Sequence, residues 1–98
     1  MRLILTLTKK WFDMIASGEK KEEYREIKPH WIRRFNPSGN LLDDCRDFYP
    51  VEFRNGYSKT SPSMEFHCSE VTIGYGNPDW GAIPGKEYYI IKLGGRIK

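Results

Sequence analysis

Residues 2–8 alternate, with Leu3, Leu5 and Leu7 on one side and polar or mixed positions on the other, the period of a half-buried strand. Thr8 suits the N-cap of a helix over residues 9–17, where Trp11, Phe12, Met14 and Ile15 form an apolar stripe, and Gly18 supplies the left-handed residue that ends it. Residues 20–27 read as a second strand. Pro29 then opens a short helix around residues 30–35, because proline is favoured at the first helical position.

Residues 36–50 show no clear period and carry turn formers, so a loop with room for one helical turn is expected. Residues 51–53 predict a strand whose tip, Arg54-Asn55-Gly56-Tyr57, contains the Asn-Gly pair of a tight turn. Met64, Phe66 and Cys68 alternate with Glu65, His67 and Ser69 in a strand expected to bend near Ser69 and continue through Val71 and Ile73. Residues 74–81 are a glycine and proline loop, and residues 86–93 the last strand. The pattern predicts an α+β, mainly β domain spanning residues 1–98: five or six short strands in a small curled or barrel-like sheet, with two short helices plugging its ends.

A length of 98 residues limits the chain to one domain with one principal core. Its 39% hydrophobic and 14% aromatic content exclude general disorder. The longest apolar stretches, residues 3–7 and 88–91, fall far short of the ~20 residues of a membrane span. The amino-terminal run is too short and polar-interrupted for a signal peptide. A cytoplasmic protein with no membrane partner is the expectation. Cys45 and Cys68 each lack a cysteine neighbour for a redox or zinc motif and are expected as reduced thiols. With only His30 and His67, and scattered carboxylates, neither a metal nor another cofactor is indicated. The sequence does not specify an oligomeric state.

Charge sharpens this picture. The net charge is +3, but residues 1–35 hold nine Lys or Arg against five Asp or Glu, residues 36–85 three against seven, and residues 86–98 four against one. If the first and last segments are sheet neighbours, their cations form one patch attractive to phosphate; a solvating role accounts for the charges equally well. The second strand stands out, because alternation puts Lys20, Glu22, Tyr24 and Glu26 on one face and Lys21, Glu23, Arg25 and Ile27 on the other, so both faces are charged. A surface edge strand can look like this. Following directly on an apolar helix and its glycine stop, however, such ions must be paired or line a cavity.

Residues 18–25, Gly-Glu-Lys-Lys-Glu-Glu-Tyr-Arg, match G-x-K-x-x-E-x-R in full. In this context the segment resembles the signature of the ASCH domain family, in particular a small bacterial and phage-type branch. Similarity extends to Trp11-Phe12-x-x-Ile15-x-x-Gly18, Asn55-Gly56-Tyr57, Gly74-x-Gly76, Pro78-x-Trp80-Gly81 and the closing Tyr-x-Ile-x-Leu-Gly, leaving residues 36–50 outside. The resemblance implies a PUA-like β-barrel with a cleft lined by the motif and suited to RNA, a nucleotide or a nucleoside. A few members of the family are enzymes, including an amidohydrolase acting on acetylcytidine and ribonuclease-like members. In the amidohydrolases the position matching Glu23 is a threonine, thought to act with the motif lysine and a later glutamate; this sequence keeps Lys20, lacks that threonine and offers Glu65 or Glu70 for the latter.

In chemical terms, Lys20 and Arg25 suit a phosphate, a carboxylate or a developing oxyanion, while Glu23 can orient one of them or act as a base. These three are the candidate catalytic residues if the protein is an enzyme. The candidate ligand-binding set adds Gly18, Tyr24, Asn55, Tyr57 and Trp80: the aromatics, with Tyr75, can stack on a base, and Asn55 can read a base edge. Each has a structural alternative, burial under its loop for Trp80 and an Asn-Gly turn for Asn55. His67, beside Phe66 on a strand, reads as structural. Lys9, Lys10, Lys28, Arg33 and Arg34 flank the motif and either track a phosphate backbone or simply face solvent.

Overall fold

A computed structural model describes residues 3–36 and 50–98. In chain order they form β1 (Leu3–Leu7), α1 (Lys9–Ala16), β2 (Glu22–Glu26), α2 (Pro29–Phe35), β3 (Val51–Asn55), β4 (Ser63–Tyr75), a 3-10 turn (Pro78–Trp80) and β5 (Glu87–Arg96). The five strands make one curled, half-barrel sheet in the order β1-β3-β4-β5-β2. Only β1 and β3 pair in parallel, and the other three pairs are antiparallel. The fold is α+β and mainly β, with two short helices, as the hydrophobic pattern predicts.

Alternation in β1 does what its leucines require. Leu3, Leu5 and Leu7 enter a core shared with Ile15 of α1, Phe35 of α2, Val51 and Phe53 of β3, Met64, Phe66 and Val71 of β4, and Tyr89 and Ile91 of β5. Tyr88 and Ile90 point to the opposite face of β5 and join Tyr24, Ala82 and the partly buried Trp80 in a second, smaller cluster. β5 is therefore covered on both faces along residues 88–91, which explains an apolar run without alternation. The bend expected near Ser69 is a bulge, with register shifts on either side of Cys68. A bulge bends its strand and increases the twist, and this one lets β4 pair with β3 along its first residues and with β5 along the rest. The curl leaves β1 and β2 as the two outer strands.

Several boundaries differ from the sequence pattern. Thr8 takes the N-cap position of α1 without a side-chain capping bond. β2 begins at Glu22, so Lys20 and Lys21 belong to the turn before it. The main chain explains this: Gly18, at φ 85°, reverses the helix end, and the Lys20 N–H returns to the Met14 carbonyl at 3.0 Å. β3 continues to Asn55, whose N–H bonds the Pro62 carbonyl at 3.0 Å. Asn55-Gly56 is thus the start of a longer connection rather than a two-residue hairpin turn. Gly74 and Tyr75 belong to β4, and β5 runs on to Arg96. The basic carboxy-terminal strand neighbours β2, whereas β1 lies at the far edge of the order, so the ends of the chain form one patch only through β2. Cys68 Sγ lies 3.8 Å from the Glu70 carbonyl oxygen, at the bulge. Cys45, and nearly all of the loop expected over residues 36–50, lie outside the described residues.

Candidate functional site

The chain enters β2 carrying Lys20, and the first turn of that segment builds the centre of the site. Lys20 Nζ donates to Glu23 Oε1 at 2.6 Å, and Glu23 Oε2 meets Arg25 NH1 at 2.9 Å. Strict alternation would put Lys20 and Glu23 on opposite faces. They meet because Lys20 precedes the strand, in a turn where a three-residue separation brings side chains together. Lys20 is only 2% exposed and Glu23 4%, so this is a buried ionic cluster, not a surface pair.

Each member has further partners. Lys20 Nζ lies 4.7 Å from the ring centroid of Trp11 and 5.7 Å from that of Tyr24, faces that attract a desolvated cation. Glu23 Oε1 also accepts the N–H of Tyr24 at 3.1 Å, and Arg25 NH1 donates to the Tyr24 carbonyl at 2.8 Å. Arg25 NH2 reaches across to the Thr6 carbonyl of β1 at 3.4 Å, with its guanidinium carbon 5.5 Å from the centroid of Trp31. One glutamate thus serves two cations, leaving one positive charge in excess. Burial pulls the proton affinity of Lys20 below that of an ordinary lysine; Glu23 opposes that shift without cancelling it, and Arg25 adds to it.

A second ionic group sits at the end of β2. Glu26 Oε2 accepts from Lys86 at 2.9 Å, and Oε1 faces Lys28 at 3.3 Å. The hydrogen bonds from Lys86 and then Lys28 hold the Glu26 carboxyl below its usual range, and the bond to Glu26 raises Lys86. Here too one carboxylate is shared by two cations.

Both groups line one open cleft of about 670 Å³, within the ~300–1,000 Å³ typical of small-molecule sites. β1 contributes Ile4, Leu5, Thr6 and Leu7, with Thr8 just beyond it; β2 contributes Glu23 to Glu26. Aromatic walls come from Trp11, Trp31, Tyr57, Trp80 and Tyr88, and Gly81 and Ile83 close the side formed by the 76–86 connection. Tyr24 fixes that connection. Its hydroxyl donates to Glu22 Oε1 at 2.8 Å and accepts the Asn77 N–H at 2.9 Å; burial, the largest cause, pushes the phenol's pKa well above its ordinary value.

Of the residues singled out from sequence, Lys20, Glu23, Tyr24, Arg25, Tyr57 and Trp80 come together on this cleft, while Gly18 and Asn55 lie outside its lining. Gly18 acts indirectly, by turning the chain so that Lys20 points inward. Lys28 is the one flanking cation on the cleft. Glu65, Glu70, His67 and Tyr75 are on β4 away from it. Sequence reasoning missed Trp31, Glu26, Lys86 and Tyr88 as lining residues. Only Glu26 carried a local signal, as the next charged residue of the strand.

Among the described residues no three His, Cys, Asp or Glu side chains assemble as a metal site would need, and no helix is long and apolar enough to cross a membrane. Comparison with protein-family models, with curated proteins and with solved structures finds no match.

Proposed function

We propose that the cleft binds a nucleotide, free or as a unit of RNA, in a domain of the ASCH type with its PUA-like barrel. The observation that carries this reading is the combination on one open cleft of excess cations and aromatic faces. Four cations, Lys20, Arg25, Lys28 and Lys86, share two carboxylates, Glu23 and Glu26. Excess positive charge attracts phosphate, and aromatic faces stack bases at about 1–3 kcal/mol each. The resemblance of residues 18–25 to the family signature supports the same assignment.

Fluorescence anisotropy with short single-stranded and structured RNA tests it, with NMR titration of mononucleotides beside it. Binding is expected to weaken with salt. Lys28→Ala and Lys86→Ala, at exposed positions outside the core, are each expected to reduce the salt slope by about one. Absence of binding to RNA and to all four mononucleotides at low salt removes the reading.

A hydrolytic reading rests on a different observation, the buried amine of Lys20 with its lowered proton affinity, a property of lysines that move protons near neutral pH. Incubation with acetylcytidine followed by chromatography tests it. Turnover lost in Lys20→Met, with nucleotide binding retained, supports it; no turnover in the wild type dismisses it.

A further inference from the structure

A ligand lying on a sheet face meets every second residue of a strand. Here consecutive residues line the cleft, Ile4 to Leu7 of β1 and Glu23 to Glu26 of β2. The cleft is therefore the gap between two strand edges, and what it offers a ligand includes main-chain N–H and C=O groups.

Hydrogen-bond parity shows which groups these are. The Asn55 N–H bonds to Pro62 on the β4 side, so Val51, Phe53 and Asn55 direct their main-chain groups to β4, and Glu52 and Arg54 direct theirs to β1. With Leu5 opposite Phe53 in the parallel ladder, Leu3, Leu5 and Leu7 engage β3. Ile4 and Thr6 then turn their N–H and C=O toward the gap. The contact from Arg25 NH2 to the Thr6 carbonyl, arriving from β2, confirms that direction independently. Across the gap the edge of β2 is already occupied at its centre, the Tyr24 N–H by Glu23 and the Tyr24 carbonyl by Arg25. One edge is satisfied at its centre by the ionic cluster; on the other, only the Thr6 carbonyl is taken, and among the described residues Ile4 N–H, Ile4 C=O and Thr6 N–H meet no partner.

We infer that Ile4 N–H, Ile4 C=O and Thr6 N–H are the base-reading edge of the cleft: a nucleobase enters the gap and pairs its polar edge with the free edge of β1, while Arg25, Lys28 and Lys86 face its phosphate. This rests on the nucleotide reading above. An extended peptide can also pair with a free strand edge. Its main chain brings no anion to the excess cations, however, and Arg25 spans the gap where a through-running strand would pass. A nucleotide brings a planar donor and acceptor edge and a negative charge together.

The test is an amide-detected NMR titration of the labelled protein with UMP, CMP, AMP and GMP, each beside a form methylated on its pairing edge: 3-methyl-UMP, N4,N4-dimethyl-CMP, N6,N6-dimethyl-AMP and 1-methyl-GMP. The nucleotide that binds best is expected to shift the Ile4 and Thr6 amides downfield, and its methylated form to bind at least about fivefold more weakly, as loss of a paired base edge requires. Shifts confined to Arg25, Trp31 and the rim lysines, with the methylated form binding equally well, overturn this inference and leave the nucleotide reading in place. An alternating Ala-Val hexapeptide that moves the Ile4 and Thr6 amides when no nucleotide does overturns it in favour of strand addition. No response to any mononucleotide or to RNA removes both readings.

Discussion

Replacing Glu23 with glutamine tests whether the buried cluster is held together by its single negative charge. Glu23→Gln keeps the size of the side chain and one carbonyl oxygen, but removes the charge shared by Lys20 at 2.6 Å and Arg25 at 2.9 Å. Removing one partner of a buried pair costs about 3–5 kcal/mol. Two features favour the lower end: the remaining carbonyl can still accept from Lys20 or from Tyr24, and Lys20, its proton affinity already lowered, can neutralise itself. At about 3 kcal/mol and about 4–8 °C per kcal/mol for a domain of this size, the expected fall in Tm at pH 7 is roughly 12–24 °C. Circular dichroism melts at pH 7 and pH 9.5 measure it. The second pH supplies an independent sign. Without the carboxylate, Lys20 faces Arg25 uncompensated and binds its proton still less in the folded state, so the deficit relative to wild type shrinks as pH rises. A fall of less than about 4 °C at pH 7, the effect of a single kcal/mol, or a deficit that widens with pH, refutes the reasoning.

Two further outcomes follow from the same geometry. A Cβ at Gly76 would stand 2.7 Å from Ala82 Cβ and from two ring carbons of Tyr24, so Gly76→Ala is expected to destabilise by about 1–3 kcal/mol, the usual cost of overpacking; an unchanged denaturation midpoint contradicts this. Because burial holds Lys20 below its ordinary 10.5, the unfolded chain binds more protons at this position between the lowered value and 10.5, and wild-type stability rises with pH in that window. The Tm of the wild type relative to Lys20→Met should therefore climb as pH rises toward 10.5, and a flat or falling difference counts against it.

Local periodicity is a property of the chain itself, and that part of the fold is legible without coordinates. The alternating leucines of β1, the apolar stripe of α1 closed by Gly18, and the proline opening α2 each set a backbone conformation through neighbours within four residues. The charged segment before and within β2 is conspicuous for the same reason: both faces carry charge, which no core-facing alternation produces. Sequence alone thus determined most of the elements and singled out Lys20, Glu23 and Arg25. It misplaced what depends on long-range pairing, such as the extension of β3 through Asn55, which is fixed by a bond to Pro62. Only the tertiary structure decided what the charged segment faces. The bulge in β4 and the sheet order bring β1 and β2 to opposite sides of one gap, with Trp31 and Lys86 arriving from elsewhere in the chain. Which charges share a carboxylate, and which strand edge stays open, depends on the curl of the whole sheet, a quantity that no local window of residues contains.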